Sequence, residues 1–526
     1  MIALLLSCGT EAPPTDTRYV PLEDAALVRR LSLDLRGVLP GEDELDALAA
    51  QDASWEDLRD DYLEDARLEE RLVALLAEQW LTRVDTFEVQ FYDYHLDSTE
   101  EFVFEKAIGE EPLRLMAHIA MEDRPWTETV TADYTMANDM LADIWSLDHP
   151  GGGWQEATYT DLRPAAGVLS TNGLWWRYVT NISNLNRSRA AAISNLLLCT
   201  DPLSRPVSFA GSSQLAESDG TANAIQEDPY CVACHASIEP LAASLFGFWS
   251  PVQYSATEYG NYHAERESLW ETYLQVAPGW FGTPIEGLVD LGAAIAEDSR
   301  FARCATERTA AMLWRREVRA EDFNQIEDLR QKFVDDDLRM RALLRAITDT
   351  PAYQAGAVTE TSLEAVENTQ RLLTPDQWGT LLADLTGFSW TWEGYDQLAN
   401  DTIGYRMLLG GVDGDSVATP QHLPGLTWAV STGKLAEAAA AHVAQAVLED
   451  GGSTLLTVTV DDRPGDAPFT AQLSSLHLRL FAAPPTSDEL DDLGSLWSDM
   501  AEISDPVTAW TGVLSVMLRD PRMVSY

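Results

Sequence analysis

Lysine is nearly missing from this chain. Of 526 residues only Lys106, Lys332 and Lys434 are lysines, and 35 basic residues in all face 85 acidic ones, for a formal net charge of −50. A field of that sign repels nucleic acid and anionic membrane surfaces and so excludes both as partners; it would attract a basic one. The acidic residues run along the whole chain and do not gather at one place, which favours a high-salt habitat as the reason for the charge. Long apolar runs are absent too: no segment has the length and apolarity of a membrane span. GxSxG, HExxH and P-loop sequences are missing, which removes the common signatures of serine hydrolases, zinc peptidases and nucleotide hydrolases. Carboxylates are so frequent that no acid–base pair stands out. Cysteine is scarce, with five residues, and their placement carries most of the functional information.

Residues 231–235 read Cys-Val-Ala-Cys-His. This pentapeptide is the mark of covalent haem attachment: Cys231 and Cys234 add to the two vinyl groups of the porphyrin, and His235 comes beneath the iron as proximal ligand. Two other readings of CxxC remain, a thiol–disulfide redox pair and half of a zinc site. A thioredoxin-like motif needs a strand–CxxC–helix setting, whereas Gly220–Asp228 is polar and loop-like. Zinc needs more ligands close by, and the next are His263 and Cys304. The expected cofactor is therefore one covalent haem c.

Covalent haem requires export. The chain opens Met-Ile-Ala-Leu-Leu-Leu-Ser-Cys, and Leu5-Leu6-Ser7-Cys8 resembles a bacterial lipobox with Cys8 as the lipidated residue. No Lys or Arg precedes the apolar run, and the run is short for a signal peptide; a start codon placed too far downstream accounts for both. Thr10–Thr17 reads as a tether. The expectation is an extracytoplasmic lipoprotein, periplasmic or at the outer-membrane surface, touching the membrane only through its lipid. With Cys8 assigned to lipid and Cys231 and Cys234 to haem, Cys199 and Cys304 remain, either a disulfide around the haem segment or two buried thiols.

The length allows about three domains, and 45 % apolar residues suffice for true cores. Apolar positions recurring at three and four residues predict helices over Asp24–Leu35, Ser54–Arg83, Leu113–Met121, Arg187–Leu198, Ala305–Arg316, Asp322–Phe333, Arg339–Thr348, Pro375–Leu385 and Lys434–Leu448. Thr374 and Thr486 read as helix N-caps. Ser453–Val460 is the clearest strand candidate, and loops are expected at His149–Gly153, Ala210–Tyr230 and Val412–Pro424. Leu27–Leu48, Thr309–Leu329 and Leu473–Leu493 share one plan of helix, short break, cap and acid-led helix, so one helical hairpin is used three times. The fold class is mainly α, multi-domain helical bundles around a cytochrome-c-like segment with little β. The expected division is 1–20 signal and tether, 21–150 N-terminal helical domain, 151–360 central CxxCH domain and 361–526 C-terminal helical domain.

Several segments occur in a fixed order: TADYTMANDMLADIW (Thr131–Trp145), RPAAGVLSTNGLW (Arg163–Trp175), NRSRAAAISNLLLC (Asn186–Cys199), CVACHASIEPL (Cys231–Leu241), FARCATE (Phe301–Glu307) and GYRMLLGGVD (Gly404–Asp413). Together they resemble the large exported proteins of planctomycetes and myxobacteria built from domains of unknown function around a cytochrome-c-like CASCH…IDPLG segment. The resemblance runs over about residues 24–526. It implies haem at Cys231, Cys234 and His235, and it favours a Cys199–Cys304 bridge, because cysteines recur at those positions in the family. The chain departs from the family at Glu239 and Ala242, where Asp and Gly are usual. The family has no assigned substrate, so none is implied.

The sixth position of a haem on His235 has no clear ligand in the sequence. Met312 follows Cys304 on its helix but suits core packing better, and a lone histidine such as His263 is more often structural. Gly410–Ser416, with Asp413 and Asp415, lacks the terminal glutamate of a calcium loop and reads as a plain turn. Trp175-Trp176 and Phe246-Gly247-Phe248-Trp249 are core by default, although the second cluster is near enough to help wall a haem. The expected function is electron transfer at the cell surface, with an unknown redox partner protein and an electron-transfer module favoured over a hydrolase. The alternative is a haem-free helical scaffold that binds a partner, with Cys231 and Cys234 joined in a disulfide.

Overall fold

A computed structural model describes residues 18–204, 224–225, 227–252, 255–360, 367–400, 404–446, 455–459 and 461–526. Cys8, the lipobox-like run and the tether lie outside the described residues, as does most of the loop expected at Ala210–Tyr230.

Helix dominates, and strand is confined to small two- and three-stranded sheets, as a mainly α chain requires. The first half is built on α1 (Asp24–Leu35), α2 (Glu42–Ala50), α3 (Trp55–Glu64), α4 (Arg67–Trp80) and α5 (Glu101–Met121). Then come α6 (Arg187–Leu198), α7 (Pro229–Ala243), α8 (Ser299–Trp314), α9 (Phe323–Asp335) and α10 (Met340–Thr348). The last part holds α11 (Pro375–Thr386), α12 (Leu426–Gln445), α13 (Ala467–Phe481), α14 (Ser487–Ile503) and α15 (Pro506–Leu518).

Two expectations about elements need correction. The helix expected over Ser54–Arg83 is two helices. Asp65 between them is extended, and its carboxylate accepts the Arg67 backbone N–H at 2.9 Å, which caps a fresh start. The strand expected at Ser453–Val460 is not formed in its described part, 455–459. Leu455, Leu456 and Val458 are buried, but the backbone finds a side chain in place of a partner strand. Thr457 N donates to Gln472 Oε1 at 2.7 Å, and Gln472 Nε2 donates to Leu455 O at 3.1 Å.

The threefold helical hairpin is present, and its break is built the same way each time. Gly37, Arg315 and Ala482 each take a positive φ, of 73°, 52° and 54°. Four residues on, the backbone N–H of Gly41, Arg319 or Thr486 donates to the acid three places later: Glu44 at 2.8 Å, Asp322 at 2.9 Å and Glu489 at 2.8 Å. Only the first copy places a glycine at the left-handed residue, where it is free of the Cβ strain carried by the other two.

One continuous core takes side chains from Leu31, Leu72 and Met116 as well as Trp175, Ile193, Leu241 and Leu313, so it spans both sides of residue 150. The strand Tyr19–Pro21 pairs antiparallel with Ala355–Val358 and closes it. A second core is drawn from α11 to the C-terminus, with Leu33 and Leu39 packed into it. Cys199, which ends α6, and Cys304, on α8, form a disulfide with Cα atoms 5.2 Å apart. The bridge spans 105 residues, and loop-closure entropy puts its contribution at up to about 4–5 kcal/mol. The double variant Cys199→Ser, Cys304→Ser should therefore unfold at clearly lower denaturant than the oxidised parent and match the reduced parent. Equal midpoints for all three would show that the bridge adds nothing to stability.

Candidate functional site

The CxxCH motif lies in the first two turns of α7. Asp228 caps the helix through Tyr230 N at 2.9 Å, and Pro229 occupies the first helical position, where its missing N–H costs nothing. The helix therefore starts at Pro229, six residues before His235, because Asp228-Pro229 is a strong start signal. The far end of α7 enters the core through Ile238, Leu241, Ala242 and Ala243.

Cys231 and Cys234 are half-buried free thiols one turn apart, so the disulfide of the alternative reading is not formed. Partial burial, followed by the charges of Asp228 and Cys234, pushes the Cys231 thiol up. That is the reverse of the activated thiolate of a redox CxxC. Among the described residues no group of three or more His, Cys, Asp or Glu is placed to hold a metal ion.

His235 is held from behind. Its Nδ1 lies 2.5 Å from Oε1 of Glu239, one turn further along α7. Glu239 is 4 % exposed and also takes a two-pronged contact from Arg187 at the start of α6, Nε to Oε1 at 2.6 Å and Nη2 to Oε2 at 3.0 Å. Burial alone would raise the Glu239 carboxyl. The hydrogen bonds from His235 and Arg187, with the Arg187 charge, outweigh burial and hold it below the usual carboxylate range. Nε2 of His235 has no hydrogen-bond partner among the described residues. Val232, His235, Ala236, Glu239 and Pro240 line one side of a cleft of about 390 Å³, and Ile225, Arg187 and the segment Tyr273–Val276 line the other. That volume is within the ~300–1,000 Å³ of ordinary ligand sites.

Other residues singled out in the sequence fall elsewhere. Cys234 packs against the core, and neither thiol is among the residues lining the cleft. Phe246, Phe248 and Trp249 are buried core, the default reading of that cluster, with Phe248 against Trp175. Met312 is core, and His263 sits against Glu258 and Glu265. The Gly410–Ser416 loop is a turn closed by Asp413, which accepts the Asp415 and Val417 amides at 2.8 and 2.7 Å. Glu239 and Arg187 were missed. The first had a signal, His-x-x-x-Glu on one helical face; the second, fifty-two residues away along the chain, had none.

A larger cleft lies elsewhere. About 710 Å³ in volume, it opens between α4 and α5 on one side and residues 375–400 on the other, with Arg71, Arg83, Glu105, Trp390, Trp392 and Tyr395 in its wall. Glu105 is 3 % exposed, and only its Oε2 is partnered, by Phe87 N at 3.2 Å.

Two family models match parts of the chain. Residues 22–147 match a protein of unknown function, DUF1592, and residues 281–353 match a protein of unknown function, DUF1585. The first takes in the opening copy of the helical hairpin and the second the middle copy, and CxxCH falls between the two. No curated protein and no solved structure matches the chain.

Two measurements follow from these environments. In the haem-free chain Cys231 should alkylate with iodoacetamide more slowly at neutral pH than a free thiol peptide; a faster reaction would point to redox thiol chemistry instead. Burial pushes the Glu105 carboxyl up to about 8, with Glu101 and Asp85 adding to it against the Phe87 hydrogen bond. Its folded form therefore holds a proton that the unfolded chain releases, and its contribution to stability falls as pH rises from about 4.5 to 8. Glu105→Gln should flatten the loss of stability over that window in denaturant titrations; an unchanged pH slope would mean that Glu105 is ionised throughout.

Proposed function

We propose that the chain is an exported, lipid-anchored, monohaem c-type cytochrome-like protein that passes electrons at the cell surface. His235 carries the proposal. Its Nδ1 is bonded to a buried carboxylate, its ring lines a cleft, and the two free thiols of Cys231 and Cys234 lie beside it on the same two turns of helix, outside the cleft's lining. A metal-binding histidine is normally backed in this way through its other ring nitrogen. The donor set fits a covalent haem: two unpaired thiols for the vinyl groups and one imidazole for the iron. Bound haem supplies one-electron iron chemistry. The chain's own residues orient the imidazole through Glu239, fix Glu239 through Arg187, and border the cleft with Ile225, Val232, Leu274 and Val276.

Export is favoured by the Cys199–Cys304 bridge, a feature of oxidising compartments, together with the lipobox-like Cys8. No described helix is long and apolar enough to cross a membrane. A redox partner with a basic face would be drawn to so acidic a chain. The second reading, a haem-free scaffold that binds a partner, draws on the larger cleft near Trp390 and Trp392.

The deciding experiment is co-expression of the full chain with the cytochrome c maturation machinery, read by a pyridine haemochrome spectrum. Wild type should show one covalent haem per chain, and Cys231→Ala with Cys234→Ala should show none. A wild-type chain without covalent haem would leave the scaffold reading standing.

A further inference from the structure

Glu239 and Arg187 make an arrangement that haem attachment by itself does not require. The CxxCH motif supplies thiols and an imidazole; it says nothing of what backs the imidazole. Here the backing group is a carboxyl side chain, buried to 4 % exposure, paired with Arg187 and 2.5 Å from Nδ1. It cannot easily swing away, because Arg187 grips both its oxygens from a different helix, at 2.6 and 3.0 Å. The arginine's helix is itself stapled at its far end by the Cys199–Cys304 bridge. With Nδ1–H donating to the carboxylate, the lone pair of the ring belongs to Nε2, the nitrogen without a partner. A carboxylate acceptor makes an imidazole a stronger donor than a neutral acceptor does, and second-shell hydrogen bonding is one of the levers that set a haem potential. Arg187 pulls the other way, since it shares the same charge.

We propose that Glu239, locked by Arg187, is the positioning residue of this site: it holds His235 with Nε2 presented to the cleft and strengthens it as an axial donor, so that iron bound there has a lower reduction potential than a neutral partner would give. The positioning half concerns the chain alone; the potential half rests on the haem reading above.

Two experiments separate them. The first uses the haem-free full chain labelled with 15N-histidine, at roughly pH 8.5, above the ordinary histidine range. The His235 signal is assigned by its loss in His235→Gln. Wild type should show the Nδ1–H form, and Glu239→Ala should return to the Nε2–H form usual for free histidine. A wild-type Nε2–H form overturns the proposal whether or not haem binds. The second uses the haem-loaded chain. Glu239→Gln keeps the shape and an acceptor oxygen but loses the charge, and should raise the potential by about tenfold in the oxidised-to-reduced ratio, about 59 mV for one electron. Arg187→Gln should lower it. Opposite signs are the signature of charge shared through Glu239; a purely structural role moves neither, or moves both the same way, and either result overturns the potential half. Far-ultraviolet circular dichroism checks that each variant folds. If wild type takes up no haem, the haem reading and the potential half fall together, and the tautomer alone decides the positioning half.

Discussion

A buried ion pair ties the two ends of this chain into one object. Arg371 and Asp34 are each 1 % exposed and meet at 2.6 Å. The hydroxyl of the last residue, Tyr526, donates to the other oxygen of Asp34 at 2.6 Å, and the backbones of Arg371 and Tyr526 exchange hydrogen bonds at 2.8 and 2.9 Å. The neighbours on α1 add to the knot: Arg30 donates to the carbonyls of Tyr353, Ala355 and Thr369, and Arg29 to those of Met523 and Ser525. Burial of this cluster pulls the Arg30 guanidinium down to about 9 and pushes the Tyr526 hydroxyl up to about 12. Such pairs add little net stability against an apolar replacement, but each partner left alone is costly. The knot therefore acts by excluding other arrangements. It sets α1 between both cores, and α1 presents Leu31 to one and Leu33 to the other.

The same logic of gripping from two ends applies at the CxxCH helix. The helix α6 lies against α7. Its first residue, Arg187, holds Glu239, and the residue after its last turn, Cys199, is bonded to α8. Because Cys304 belongs to a helix packed in the first core, the position of Arg187, and through it the position of His235, refers back to that core. A site built this way is placed by rigid helices and not by its own loop, which is what precise orientation of a ligating side chain needs.

How much of this was legible in the sequence depended on whether the cause was local. Helix α1 and helix α6 carry their own apolar period and were legible to the residue. Thr374 and Thr486 cap helices because a hydroxyl followed by Gln or Glu three places on closes a local ring of hydrogen bonds. The CxxCH motif is equally local. Failures came where a distant group changed the outcome. Residues 455–459 had the composition of a strand, yet Gln472 met their backbone groups first. Arg187 reaches Glu239 across a tertiary contact that no spacing announces. The large cleft beside Glu105 is formed by segments almost three hundred residues apart, and nothing in either segment names the other.

The scarcity of lysine also has a structural sense. Eleven arginines are buried among the described residues: Arg29, Arg30, Arg36, Arg59, Arg71, Arg114, Arg189, Arg315, Arg316, Arg371 and Arg406. Lys106, Lys332 and Lys434 are all exposed. A guanidinium offers five donors in a planar fork and so can satisfy several carbonyls or both oxygens of a carboxylate in the interior; an ammonium is harder to desolvate and cannot. Arginine is used here as internal cross-linking, at Asp34, Glu78, Glu110 and Asp322. Seven acidic side chains are buried beside those eleven arginines. The interior therefore takes up more positive than negative charge, and the outer surface is more acidic than the composition alone implies. Any partner that meets this surface meets a strong excess of negative charge, so a basic docking face is the one most strongly attracted, and its rate of approach will fall as salt rises.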